Sequence, residues 1–270
     1  MKRIICLTAL THLLVMPTVA RADILYGMDQ GILTKIDTDT LTATPIGDTG
    51  YFALAGLEFG PDGQLYGLSY QTDELVKIDL NSGSATVVGS TILNISSGSG
   101  LGLDPTTNLM YATAKLTLST PDILVIISLE TGGVTYVGEV SGTGSSALHS
   151  LDFTASGELY GIQLIGSDGQ LRAIDKTDGT SVPIGSRSLP TVGSLTIAPS
   201  GTAWTIEAPG YLYSIDLENG TPTNHGLVTG FTGGEGLIGS LASIPSPPVT
   251  AVFCAGILLS VGRKRMGGPS

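Results

Sequence analysis

Between Ile24 and Ile244 the apolar residues come in short runs with small or polar residues between them, and Gly, Pro, Asp and Asn break the runs. One set reads Leu54 to Phe59, Leu65 to Leu68, Leu75 to Asp79 and Ala85 to Gly89, with Gly60-Pro61-Asp62-Gly63 and Asn81-Ser82-Gly83 between runs. Short alternating runs bounded by turn residues predict β-strands joined by hairpins. Gly tolerates positive φ at such turns, and Asp or Asn bonds its own turn backbone.

The set recurs. Its anchors are Leu25-Tyr26-Gly27, Leu65-Tyr66-Gly67, Met110-Tyr111-Ala112, Leu159-Tyr160-Gly161 and Ala203-Trp204-Thr205, with the aromatic returning after 40, 45, 49 and 44 residues. An Ile-Asp step follows at Asp37, Asp79, Asp175 and Asp216, with Ser128 in the third copy. Self-similarity at this period, with four strands per unit, predicts propeller blades. The chain enters at Ile24-Leu25-Tyr26, the second strand of a blade, and a matching first strand stands at the far end, Leu237 to Ile244. An unpaired sheet edge is costly, so the last strand is expected to complete the first blade. The expectation is an all-β, five-bladed β-propeller over residues 23–244. The blades resemble those of secreted bacterial propellers with Leu-Tyr-Gly and Ile-Asp-x-x-x-Gly repeats, a functionally mixed group.

The two ends read differently. Residues 1–22 have Lys2-Arg3, an apolar stretch from Ile4 to Val15, and Ala20-Arg21-Ala22 before Asp23. This is the layout of a signal peptide cut after a small-x-small motif formed by Ala20 and Ala22. Residues 245–270 carry Pro245-Ser246-Pro247-Pro248, an apolar run from Val249 to Val261, and Arg263-Lys264-Arg265. The run is short for a permanent span, and the basic cluster favours the cytoplasmic side. The order from Pro245 to Arg265 resembles the PEP-CTERM sorting tail of exported bacterial proteins. Ser246 stands where that family usually has Glu, and Met266 to Ser270 trail past the basic cluster. The resemblance implies handling by export machinery and a sorting protease, with Pro245, Pro247, Arg263, Lys264 and Arg265 as processing residues. It implies a place at the cell envelope or outer surface, or release after cleavage, with membrane contact only through the C-terminal segment. It also implies a link with exopolysaccharide or matrix.

Charge and cysteine narrow the chemistry. All 23 acidic residues and six of the twelve basic ones lie in 23–244, leaving that domain at −17. Such a field disfavours nucleic acid. Cys6 and Cys254 lie in the end segments, so the domain has neither a disulfide framework nor a thiolate nucleophile. The recurring Asp is read as a turn cap rather than a metal ligand, because Ser128 replaces it once. The aromatic stripe is read as packing between blades, since one repeated position tends to serve one structural task.

Candidate sites fall in two places. Loops 48–53, 90–99, 139–147, 186–192 and 229–236, with 28–31, 69–74, 115–122, 163–170 and 207–211, share one face. They vary in length and hold Tyr51, Phe52, Tyr70, Glu139, Arg187, Tyr211, Phe231 and Glu235. Varied loops on a uniform scaffold are where ligand contacts concentrate. The second place is the inner-strand position held by Glu58, Gly102, Asp152 and Thr196, eight or nine residues before the aromatic. Glycoside cleavage uses two carboxylates about 5 to 9.5 Å apart, so Glu58 and Asp152 are the candidate pair for a hydrolase or lyase at the channel mouth. No third acid or oxyanion donor accompanies them, and His149 and His225 form no metal or general-base motif. The leading expectation is therefore a non-catalytic exported propeller, without cofactor or metal, whose loop face binds polysaccharide or a matrix protein.

Overall fold

The second strand of each repeat has apolar neighbours on both faces, so it is buried along nearly its whole length, whereas the fourth faces solvent. Leu65–Ser69 is buried throughout, and Ala85–Ser90 is buried nowhere. The computed structural model describes residues 22–52, 54–69, 71–93, 100–144, 146–189, 194–232 and 238–245. They form five four-stranded antiparallel sheets arranged as a five-bladed β-propeller.

Blade 1 holds β1 (Ile24–Asp29), β2 (Ile32–Asp37) and β3 (Thr42–Asp48). Blade 2 follows as β4 (Gly56–Phe59), β5 (Leu65–Ser69), β6 (Glu74–Ile78) and β7 (Ala85–Ser90). Blade 3 comprises β8 (Leu101–Asp104), β9 (Leu109–Ala114), β10 (Ile123–Ile127) and β11 (Val134–Glu139). Blade 4 is β12 (Leu148–Phe153), β13 (Leu159–Ile165), β14 (Asp168–Ile174) and β15 (Ser181–Pro183). Blade 5 is β16 (Thr196–Ile197), β17 (Ala203–Glu207), β18 (Tyr211–Ile215) and β19 (Pro222–Leu227). The last strand, β20 (Ile238–Ser243), pairs antiparallel with β1, Leu25 opposite Ser243 and Tyr26 opposite Ala242. The closure expected from the offset repeat is present, and inner strands touch in the circular order β20, β4, β8, β12, β16.

The stripe aromatics join blades. Tyr26 meets Phe59 edge-on at 5.7 Å, and Tyr111 meets Phe153 at 5.3 Å. Trp204 donates its indole N–H to Asp23 of the next blade at 2.9 Å. The Ile-Asp carboxylates cap turns: Asp79 Oδ1 accepts from Asn81 N and Ser82 N at 3.0 and 2.8 Å, and Ser128 Oγ serves its own turn at 3.3 Å. These bonds hold Asp37, Asp79 and Asp175 below the usual aspartate range. The same turns dock on the neighbouring blade. A methyl at Gly47, Gly89, Gly138 or Gly185 would overlap the backbone carbonyl of Ser82, Thr131, Asp178 or Asn219. Gly47, Gly89 and Gly138 are therefore set by contact with the next blade rather than by φ, whereas Gly185 and Gly226 also adopt positive φ, 65° and 123°.

Among the described residues no helix is long and apolar enough to cross a membrane. The apolar stretch from Val249 to Val261 and the segment 1–21 lie outside the described residues, as do Ala20, Pro247, Arg263, Lys264 and Arg265.

Candidate functional site

Strand register stacks equivalent residues in layers around the axis. Opposite the stripe aromatic stand Ala242, Glu58, Gly102, Asp152 and Thr196. One residue earlier is a ring of buried leucines: Leu241, Leu57, Leu101, Leu151 and Leu195. One earlier again come Ser240, Gly56, Gly100, Ser150 and Ser194. Inner strands run from the varied loops toward the tight hairpins. The carboxylates therefore lie beyond the leucine ring, on the hairpin side. The sequence placed them at a channel mouth; they hold the same repeat position, and the strand direction puts that position at the hairpin end of the hub, away from the variable loops.

Alternate residues of an antiparallel edge strand turn their backbone groups away from the partner strand. The bonds Gly60 N–H to Gln64 O, Thr154 N–H to Glu158 O and Ala198 N–H to Thr202 O fix which ones. Phe59, Phe153 and Ile197 consequently aim their N–H groups at the axis. Carboxylates take all three. Phe59 N donates to Glu58 Oε1 at 2.7 Å, Phe153 N to Asp152 Oδ1 at 2.6 Å and Ile197 N to Asp152 Oδ2 at 2.6 Å, with Thr196 Oγ1 adding a bond at 3.3 Å.

Glu58 of blade 2 and Asp152 of blade 4 are also within side-chain hydrogen-bonding reach of each other. Blade 3 lies between them, and its residue at this level is Gly102, whose missing side chain leaves the space. A methyl there would sit 2.6 Å from Leu151 Cδ1 and 3.1 Å from Asp152 Cα. Burial, then the Asp152 charge, push Glu58 well above the usual glutamate range. Burial raises Asp152 to about 6, against the lowering effect of its N–H donors and of Glu58. Burial and the neighbouring Asp152 therefore favour the protonated form of Glu58. Both residues are buried, at 8% and 5% exposure. On the other side of the leucine ring, between the leucine and serine layers, is a cavity of about 10 Å³, room for one water.

The loop face differs in kind. Phe52 and Leu118 are 70% and 69% exposed, and Ile92, Leu116 and Tyr211 are exposed as well. Glu139 and Arg187 are exposed, Phe231 is half-buried, and the half-buried Tyr51 donates its hydroxyl to Glu74 Oε2 at 2.9 Å. Tyr70, Glu235, 94–99, 190–193 and 233–237 lie outside the described residues. Beneath the loops of blades 3 and 4 runs a buried polar network that the sequence did not single out. Lys115 Nζ donates to Thr120 O and Gly144 O at 2.7 and 3.0 Å and lies 3.7 Å from Asp122 Oδ2. Gln163 Nε2 donates to Thr143 O at 2.8 Å, and Arg172 donates to Gln163 Oε1, Ser141 O and Ser181. Burial raises Asp122 despite Lys115. The network closes the base of 115–122 and fixes the tip carrying Leu116 and Leu118. Its one sequence signal is that Lys115 and Arg172 are among only six basic residues in 23–244.

A shallow groove of about 690 Å³ runs along blade 4, with Tyr160, Val182, Glu158, Lys176 and Ser181 among its lining. Among the described residues no cluster of His, Cys, Asp and Glu is placed to hold a metal ion. Burial lowers the pKa of His149, while His225 meets Trp204 at 4.9 Å with the rings tilted at 60° and bonds Ser214 Oγ.

Solved structures that resemble the fold include the following two. One is a chain of the nidogen/laminin complex, with 14% identity, a TM-score of 0.53, and 75% of this chain matching 77% of that one. The other is a structural genomics protein of unknown function from Bacteroides thetaiotaomicron, with 15% identity and a TM-score of 0.53. It matches over 76% of this chain but 57% of its own length. No curated protein matches the chain. Over residues 99–241 the sequence matches the family described as a repeat of unknown function, DUF6923, and the chain belongs to that family.

Proposed function

We propose that the protein is an exported, non-catalytic binding scaffold whose loop face engages a polysaccharide or a protein of the cell envelope or extracellular matrix. The observation that carries this is the contrast between the two ends of the propeller. Hairpin-side turns are short, carboxylate-capped and docked on neighbouring blades. The loop side projects large apolar side chains, Phe52 and Leu118 foremost, from a base held by buried polar bonds. Exposed apolar groups on an ordered base mark recognition surfaces. The segments 1–22 and 245–270 support export and a sorting step, with residence at the envelope or release after the tail is cut.

Hydrolysis or lyase chemistry at Glu58 and Asp152 is the second reading, favoured by the meeting of the two acids and their divided protonation. The burial of both acids weighs against it. The test is a glycan and matrix-protein binding screen on the purified full chain, beside Phe52→Ser and Leu118→Ser. Binding that drops in folded variants supports the scaffold. Silence across the screen, or turnover of a glycan that stops in Glu58→Gln, overturns it. Mass spectrometry of the native termini tests both processing expectations.

A further inference from the structure

One hub layer changes character around the ring: Gly56 and Gly100 in blades 2 and 3, then Ser150, Ser194 and Ser240 in blades 4, 5 and 1. On the glycine side the inner strands are in backbone contact. A methyl on Gly56 would lie 2.7 Å from Leu101 N, and one on Gly100 would lie 2.5 Å from Leu151 N. On the serine side hydroxyls occupy the layer. Ser240 Oγ donates to Leu54 O at 3.1 Å. Ser150 Oγ and Ser194 Oγ are buried with no hydrogen-bond partner, their residues 6% and 0% exposed. All three serines line the axial cavity of about 10 Å³, together with the two glycines and the five ring leucines.

The backbone adds to this polar lining. The phase that aims Phe59, Phe153 and Ile197 at the axis also aims the N–H and C=O groups of Leu57, Leu151 and Leu195 there. Thr113 N–H to Gly100 O and Ile244 N–H to Ile24 O give Leu101 and Leu241 the same phase. Buried polar groups left unpaired are costly, and a small cavity with such groups in its lining suits one water with two to four partners. The lining offers donors and acceptors and no formal charge, which fits a neutral amphoteric molecule better than an ion.

We propose that the hub binds a single structural water on the propeller axis, held by Ser150 Oγ and Ser194 Oγ and completed by the inward backbone of the leucine ring. It bridges the hydroxyls of blades 4 and 5 in this layer, as the glycines of blades 2 and 3 bring their strands against the next blade directly. The loop-face reading does not enter this argument.

The test combines a crystal structure of the full chain at a resolution that shows solvent with folding equilibria of Ser150→Ala, Ser194→Ala and the double variant. The expected result is one solvent peak within hydrogen-bond distance of both hydroxyls. Each single variant is expected to lower the folding constant roughly tenfold, and the double variant little more, because both hydroxyls serve one molecule. A dry cavity with the hydroxyls turned to strand carbonyls overturns the proposal. So do single costs that multiply to roughly a hundredfold, or a peak that rubidium replaces, which would identify an ion.

Discussion

Replacing Glu58 with Gln tests the raised proton affinity of the hub pair. In the wild type, burial holds Asp152 at about 6 and Glu58 well above its ordinary range, so the folded chain binds protons more tightly than the unfolded one. Stability from the pair is then complete below the ordinary carboxylate values near 4 and drains as pH rises through 6 and beyond. Asp152 alone moves from 3.8 to about 6. At about 1.4 kcal/mol per pH unit this amounts to about 3 kcal/mol. The amide introduced by Glu58→Gln donates to Asp152 at every pH and removes the like charge. Urea unfolding of both proteins at intervals from pH 5 to 8 is the assay. The variant is expected to lose about 1–3 kcal/mol less than wild type across that range, and to be the more stable protein at pH 8. His149, lowered by burial, works in the opposite sense, and Asp122, raised by burial, in the same sense. Both are unchanged in the variant, so the difference between the two curves isolates the pair. Parallel curves, agreeing within about 0.5 kcal/mol, would refute the raised proton affinity.

Three further outcomes follow from the blade contacts. Gly138→Ala is expected to cost about 3 kcal/mol or more because its methyl overlaps the Asp178 carbonyl, whereas Gly63→Ala, at φ 73 with open space, is expected to cost about 1 kcal/mol; urea midpoints rank the two. Gly102→Ala sets a methyl against Leu151 Cδ1 and Asp152 Cα and is expected to cost about 1–3 kcal/mol and, by displacing Asp152 from Glu58, to flatten the stability–pH curve, read by the same titration. Lys176 Nζ lies 2.5 Å from the wholly buried Asp104. Burial would raise Asp104, but the Lys176 and Thr106 bonds outweigh it and hold the group at about 2. That stability is present above 3.8 and lost as pH falls toward 2. Lys176→Met is therefore expected to cost about 3 kcal/mol at pH 7 and little at pH 2, with acid unfolding moved to higher pH.

The sequence by itself determined the blades, their number and the closing strand. Each is a property of local period and of an offset between repeat and sheet, and both are visible along one chain. It also determined the turn caps, because Asp79 needs only Asn81 and Ser82, a few residues away, to do its work. The tertiary structure alone decided what the hub and the loop base are. Glu58 and Asp152 stand 94 positions apart in the numbering and meet only because Gly102 leaves a gap between them. Lys115, Gln163 and Arg172 form one network only after two blades come together. Ser150 and Ser194 read as ordinary strand serines until five inner strands surround them. Repeats specify a scaffold through short-range preferences common to every copy. The residues that break the repeat act across blades, over distances that periodicity does not record.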